Sequence, residues 1–163
     1  MTDLAAAHNL FHVPATANFR DAAVAVIVLD DGRYLMQLRD DKAGIFYPDS
    51  WGLFGGAVDA GETAEQALRR ELREELNFSP KTLKYLTRMD FDFACVGGKS
   101  CYRMFYEVQI RASEVAHFRL NEGRLMEPLP LDDLLLNRRV VPYDAFALWL
   151  HYAEHTKQRA QSE

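Results

Sequence analysis

The stretch Gly56-Ala-Val-Asp-Ala-Gly-Glu62-Thr63-Ala-Glu-Gln66-Ala-Leu68-Arg69-Arg70-Glu71-Leu72-Arg73-Glu74-Glu75-Leu76-Asn77-Phe78 decides how the rest of the chain is read. Its second half predicts a helix over 63–76. Thr63 and Gln66 stand at capping-box spacing, the run to Leu76 consists of strong helix formers, and Asn77 with Pro80 closes it. At roughly 100° per residue, Ala64, Ala67, Leu68, Leu72 and Leu76 form one apolar arc. Glu71 and Glu75 fall inside that arc and Glu74 at its edge, while Arg69, Arg70 and Arg73 project elsewhere. An ordinary charged helix accounts for an i,i+4 pair such as Arg70 and Glu74, but not for acids on the core side. Carboxylates clustered at i, i+3 and i+4 repel one another, more strongly when desolvated, and a divalent cation relieves the repulsion. Oxygen donors without His or Cys favour Mg²⁺ or Mn²⁺ over zinc.

Outward from this helix, Ala22 to Leu29 is an apolar, β-branched run that reads as a buried strand. Asp30-Asp31-Gly32 is a turn signal, and 33–39 resumes as a second strand, so the pair predicts a hairpin. Residues 40–61 carry Pro48 and five glycines, a long loop of the kind that is usually functional. Strands are expected around 84–93 and 102–111, joined by the Gly97-Gly98 tip, and Leu131-Asp-Asp-Leu-Leu-Leu136 reads as a short helix or turn. A closing amphipathic helix over about 143–155 would bury Phe146, Leu148, Trp149, Leu150 and Tyr152. The order β, β, α, β, β, α implies layered α+β or α/β architecture with a mixed sheet. The chain, 163 residues long, is expected to be one domain, 1–163, with an N-terminal arm over 1–20.

The formal charge is -5, from 19 Lys plus Arg against 24 Asp plus Glu, so no general attraction draws the surface to a nucleic-acid polymer or an anionic membrane. A phosphate-bearing ligand would need local cations or metal ions. The first ten residues lack the basic start and unbroken apolar run of a signal peptide, and no stretch approaches the roughly 20 apolar residues of a span. A cytoplasmic location is expected. Cys95 and Cys101 flank the tip at 96–100, where they read as two thiols or, with a three-residue loop, as a cross-strand pair. The five histidines, His8, His12, His117, His151 and His155, show no ligand spacing and receive no role.

Gly56, five residues, Glu62, seven residues, then Arg70-Glu71-Leu72-Arg73-Glu74-Glu75-Leu76-Asn77-Phe78 resembles the Nudix box, the signature of the MutT-like hydrolases. The family pattern is Gly, five residues, Glu, seven residues, Arg-Glu-apolar-any-Glu-Glu-any-Gly-apolar. Asn77 replaces the final glycine, and Asn is the next most tolerant residue in a left-handed cap. Trp51-Gly-Leu-Phe54-Gly-Gly56 resembles the family's lead-in, with Phe54 where proline is common. The likeness covers roughly 20–155.

The resemblance implies an α/β/α sandwich around a mixed sheet and hydrolysis of a nucleoside diphosphate linked to another moiety, with Mg²⁺ or Mn²⁺. It implies Glu74 and Glu75 as metal ligands with the Gly56 carbonyl, Glu71 as a ligand or the group that orients and deprotonates water, and Glu62 and Arg70 as residues that hold the others in place. A further acid from a later loop is expected at Glu122, with Glu107 on the polar face of its strand as rival. Arg39 resembles a phosphate-contacting arginine, with a salt bridge to Asp40 or Asp41 as the alternative. Among Phe46, Tyr47, Trp51 and Phe54, one is expected to stack a base; Phe54 is assigned to substrate and Trp51 to packing. The partner implied is a small nucleotide, a dNTP or nucleotide sugar, and a homodimer is compatible with the sequence. Signatures of ADP-ribose, diadenosine-polyphosphate and coenzyme A hydrolases are missing. The alternative is a Nudix module that senses a nucleotide or ADP-ribose without turnover.

Overall fold

The computed structural model describes residues 19–42, 44–94 and 98–160. Strand β1 (Ala22–Leu29) turns at Asp30–Gly32 into β2 (Tyr34–Leu38), as the hairpin pattern predicts. Two short strands, β3 (Trp51–Gly52) and β4 (Phe54–Ala57), lie in what reads from sequence as loop. Helix α1 (Ala64–Leu76) follows, then β5 (Lys84–Phe91) and β6 (Cys101–Ile110), a 3₁₀ segment (Ala112–His117), β7 (Leu125–Leu129), α2 (Leu131–Asn137) and α3 (Pro142–Ala160).

The seven strands form one mixed sheet. β1 and β6 run parallel from Ala22 opposite Arg103 to Leu29 opposite Ile110, and the remaining strand pairs are antiparallel. β1 pairs with β2 only near Val28 and Tyr34; nearer its start it pairs with β4, while β2 pairs with β3 at Gln37 and Leu38. The two central strands therefore splay, and β3–β4 fill the wedge between them. That wedge brings Gly55 and Gly56 beside the centre of the sheet. β7, invisible in the sequence because Pro128 argues against a strand, pairs with β2 and lies at an edge where a missing N–H is tolerated.

Strand alternation gives β1 two buried faces. Ala23, Ala25 and Ile27 meet Leu68, Leu72 and Leu76 of α1, while Val24 and Val26 share a second core with Phe105, Leu134, Ala147 and Leu148. Helices thus cover both faces, giving the α/β sandwich. Helix α3 departs from the predicted phase. Its run Ala145-Phe-Ala-Leu-Trp-Leu150 is apolar on every side, so periodicity does not select a face. The inward residues are Asp144, Ala147, Leu148 and His151, whereas Phe146, Trp149 and Tyr152 are each about half exposed (52%, 52% and 51%). The small Ala147 lets the helix approach the sheet. Asp144 and His151 are tolerated inside because Asp144 Oδ2 accepts from Leu53 N (3.0 Å) and His151 Nδ1 meets Tyr34 OH (2.9 Å). No helix among the described residues is long and apolar enough to cross a membrane.

Candidate active site

Both ends of α1 are fastened. Thr63 Oγ1 accepts from Gln66 N (3.2 Å) and Gln66 Oε1 from Thr63 N (2.8 Å), the predicted capping box. Asn77 takes the left-handed conformation, φ 52° and ψ 37°, as its place in the motif requires. The loop after the 3₁₀ segment straps this end: Asn121 donates from its backbone to Glu75 O (2.8 Å) and from its side chain to Glu74 O (2.7 Å).

The acidic face of α1 lies against β4. Gly55 has φ +130°, and a Cβ there would strike the Ala23 carbonyl, so glycine is obligatory. Its N–H donates to Glu75 Oε2 (2.9 Å). A Cβ on Gly56 would stand 2.5 Å from Glu71 Cδ, so this glycine admits the carboxylate directly onto the backbone. Glu75 is 5% exposed, as the helical phase predicts.

One arginine organises the remaining acids. Arg70 grips Glu62 bidentately (Nε to Oε1 and Nη2 to Oε2, both 2.9 Å), donates from Nη1 to Glu71 Oε1 (2.7 Å) and Glu74 Oε2 (3.3 Å), and from Nη2 to Ala57 O (3.0 Å). Its hydrogen bonds, with those of Asp59 N, hold Glu62 at a pKa of about 2. Two neighbours go the other way. Burial drives Glu75 to about 8, against the pull of the Gly55 N–H, and the charges of Glu71 and Glu122 add to the rise. Burial raises Glu71 as well, opposed by Arg70 and reinforced by Glu74 and Glu122. Two carboxyls whose burial opposes their charge stand side by side, with a third, Glu74, exposed at their rim, and together they form a site short of positive charge. The donors are all hard oxygens, so the residues present fit a hard divalent cation.

The other sequence expectations divide. Glu122 stands close enough for its charge to act on Glu71 and Glu75. Glu107 does not belong to this constellation: 3% exposed, it is covered by α3 and bonded to Lys84 (3.0 Å), Gln109 (2.5 Å) and His155 (3.1 Å). The polar face assigned to it is buried at Glu107, because α3 packs there, while Gln109 on the same face stays exposed. Phe54 is fully buried in the core beneath α1, so no ring face is available to a base; its assignment to substrate is corrected to packing. Trp51 packs as expected. Arg39 makes no salt bridge to Asp40 or Asp41; its Nε donates to Phe46 O (3.1 Å). Cys95 lies outside the described residues, as do His8 and His12, and Cys101 is a free thiol.

An aromatic cleft that the sequence did not reveal adjoins the box. Phe19, Phe46, Phe91, Phe93, Arg103 and Tyr143 line a cavity of about 50 Å³ together with Arg20 and Cys101. Arg103 lies over the Tyr143 ring, 4.1 Å from its centroid. Arg20 bonds Asp59 (2.6 Å), which stands 3.5 Å from Arg70, so cleft and box are joined by a chain of ion pairs. Asp144, beside Tyr143, is pushed up to about 6 by burial, with Arg103 and Arg39 pulling it back. The signal for this cleft was the pair Tyr143-Asp144 opening the last helix, which reads as surface until β6 is placed opposite it.

The NUDIX domain model matches residues 19–160. The chain belongs to the Nudix family. Nudix enzymes generally use divalent metals. The nucleoside triphosphatase NudI of Escherichia coli O139:H28 is 49% identical over 53 residues, 32% of this chain and 37% of that protein, and NudI of Shigella flexneri gives the same values. The match thus spans little more than a third of these curated relatives. A MutT NUDIX hydrolase from Burkholderia pseudomallei superposes with a TM-score of 0.65 at 27% identity, covering 82% of this chain and 98% of its own. The NUDIX domain of Shewanella oneidensis NrtR, complexed with ADP ribose, reaches 0.66 at 18% identity, covering 94% and 99%; at that identity the likeness is one of fold.

Proposed function

We propose that this Nudix protein hydrolyses the diphosphate linkage of a nucleoside diphosphate derivative, a nucleoside triphosphate or a nucleotide sugar, with Mg²⁺ as cofactor and Mn²⁺ as a substitute. The observation that carries this reading is the gathering of Glu62, Glu71 and Glu74 by Arg70, and of Glu75 by the Gly55 N–H, around a Gly55–Gly56 backbone that leaves room for nothing larger than hydrogen.

When bound, the divalent cation supplies charge neutralisation of the phosphate oxygens and polarisation of a water molecule. Glu74 and Glu75 would hold it together with the Gly56 carbonyl. Glu71, its basicity raised by burial, is suited to orient the attacking water and take its proton. Glu62 and Arg70 fix these carboxylates in position, and Glu122 adds a further acid at the rim. Arg103 in the cleft and Arg39, bonded to the Phe46 carbonyl beside it, offer cationic contacts, and the rings of Phe46, Phe91, Phe93 and Tyr143 provide stacking faces for a base. The non-catalytic sensing alternative is disfavoured because no box acid has been lost.

The test is a nucleotide panel assayed for Mg²⁺-dependent release of phosphate, diphosphate and monophosphate, with nucleoside triphosphates first because NudI carries that activity in its name. Turnover that EDTA abolishes is the expected result. Binding of ADP-ribose or a nucleotide with no turnover in Mg²⁺ or Mn²⁺ would replace the enzyme reading with the sensor.

A further inference from the structure

The opposite end of the β6–α3 interface holds a second cluster of metal-ligating groups. His151 and His155 stand one helical turn apart on α3, and Glu107 faces them from β6. Among the described residues, these three are the group of His, Cys, Asp or Glu whose donor atoms all lie within 4.8 Å of one another. Glu107 Oε2 is 3.1 Å from His155 Nε2 and 3.4 Å from His151 Nε2. A tetrahedral ion with bonds of about 2.0–2.1 Å sets its donors about 3.3–3.4 Å apart, so both separations already approximate its edges.

The environment adds a second, independent observation. His151 is 2% exposed, yet its Nε2 meets no partner at hydrogen-bonding geometry. Its other nitrogen, Nδ1, is held by Tyr34 OH at 2.9 Å, the outer hydrogen bond that fixes ring orientation in metal-ligating histidines. Tyr34 OH and Nδ1 share one hydrogen bond in either tautomer, and with the ring proton on Nδ1 the Nε2 lone pair is free to ligate an ion beside Glu107. A buried imidazole nitrogen and a carboxylate oxygen 3.4 Å apart, with no hydrogen bond between them, leave a place for a cation. Access exists, for Tyr34, Gln109, His151 and His155 border a cavity of about 550 Å³ on this side of the molecule.

We propose that Glu107, His151 and His155 form a cation site separate from the box, selective for a first-row transition ion of the zinc type. Two imidazoles and one carboxylate, with a fourth position open to the cavity, is a donor set that suits Zn²⁺ and not Mg²⁺. Lys84 Nζ, 3.0 Å from Glu107 Oε2 on the paired strand, is the competing cation; its side chain is 58% exposed and free to withdraw. Occupation would tie α3 to β6.

The experiment measures Zn²⁺ by equilibrium dialysis, in excess Mg²⁺, on a Glu74→Gln/Glu75→Gln protein whose box is disabled. One equivalent is expected, with the visible spectrum of tetrahedral Co²⁺ when cobalt replaces zinc. At a hundredfold excess over Kd the melting temperature should rise by roughly 5–10 °C. His155→Gln, at a half-exposed position that tolerates change, should lose the site, and Lys84→Met should tighten it tenfold or more. Zero equivalents in the box-disabled protein would overturn the proposal, as would undiminished binding in His155→Gln. Neither result depends on whether the box hydrolyses anything.

Discussion

Arg70 spreads one guanidinium over Glu62, Glu71, Glu74 and the Ala57 carbonyl, a task its planar fork performs and a lysine ammonium does not. Arg70→Lys should therefore lower kcat roughly 10–100-fold and raise the Mg²⁺ concentration for half activity, with little change in Tm. Glu75→Gln and Glu74→Gln should each lower turnover by about 10²–10⁴-fold in the panel assay. Asp144 tests the other side of the molecule by pH. Its folded pKa of about 6 lies above the ordinary 3.8, so the folded state binds more protons across that window and stability falls as pH rises through it. Asp144→Asn removes the term, which is at most about 3 kcal/mol. Denaturant unfolding at pH 4 and pH 7 should show the variant gaining on the parent at pH 7. At this scale Glu75 was legible, because helical phase alone puts it inward. Glu107 was not: alternation gives a residue's side of the sheet, but not what covers that side.

Helix α1 is almost wholly a local object. Its cap, formers and stop are encoded within 63–77, and the observed ends agree with them. Asn77 in the left-handed region gives a direct check: Asn77→Ala should cost about 1 kcal/mol and lower Tm by roughly 2–4 °C in a thermal melt, while Asn77→Gly should cost nothing. The elements that escaped sequence reading are those defined by partners. β3 and β4 have two and four residues and exist because the β1–β2 wedge offers them backbone groups. β7 contains a proline that only an edge permits. Helix α3 was foreseen as a helix but not in its phase, since its apolar residues surround the axis and the sheet alone selects the face of Ala147 and Leu148.

At the scale of the whole molecule, the sheet carries two chemically different clusters on its two faces, hard oxygens at the β4–α1 contact and imidazoles at the β6–α3 contact. The net charge of -5 conceals this division, because Glu71, Glu75 and Glu122 are concentrated where burial, with their mutual repulsion added, raises the pKa values of Glu71 and Glu75. Chelation should accordingly abolish hydrolysis, and Mg²⁺ should restore it without Zn²⁺. The sequence by itself determined the hairpin, the capped helix, the inward glutamates and the Nudix assignment, since all of these rest on interactions within a few residues or on a contiguous motif. Only the tertiary structure decided that Phe54 is core, that Glu107 faces two histidines and that Tyr143 and Asp144 meet Arg103. The last two contacts join segments about 40 residues apart or more, and long-range juxtaposition is fixed by how the layers pack, which no local pattern encodes.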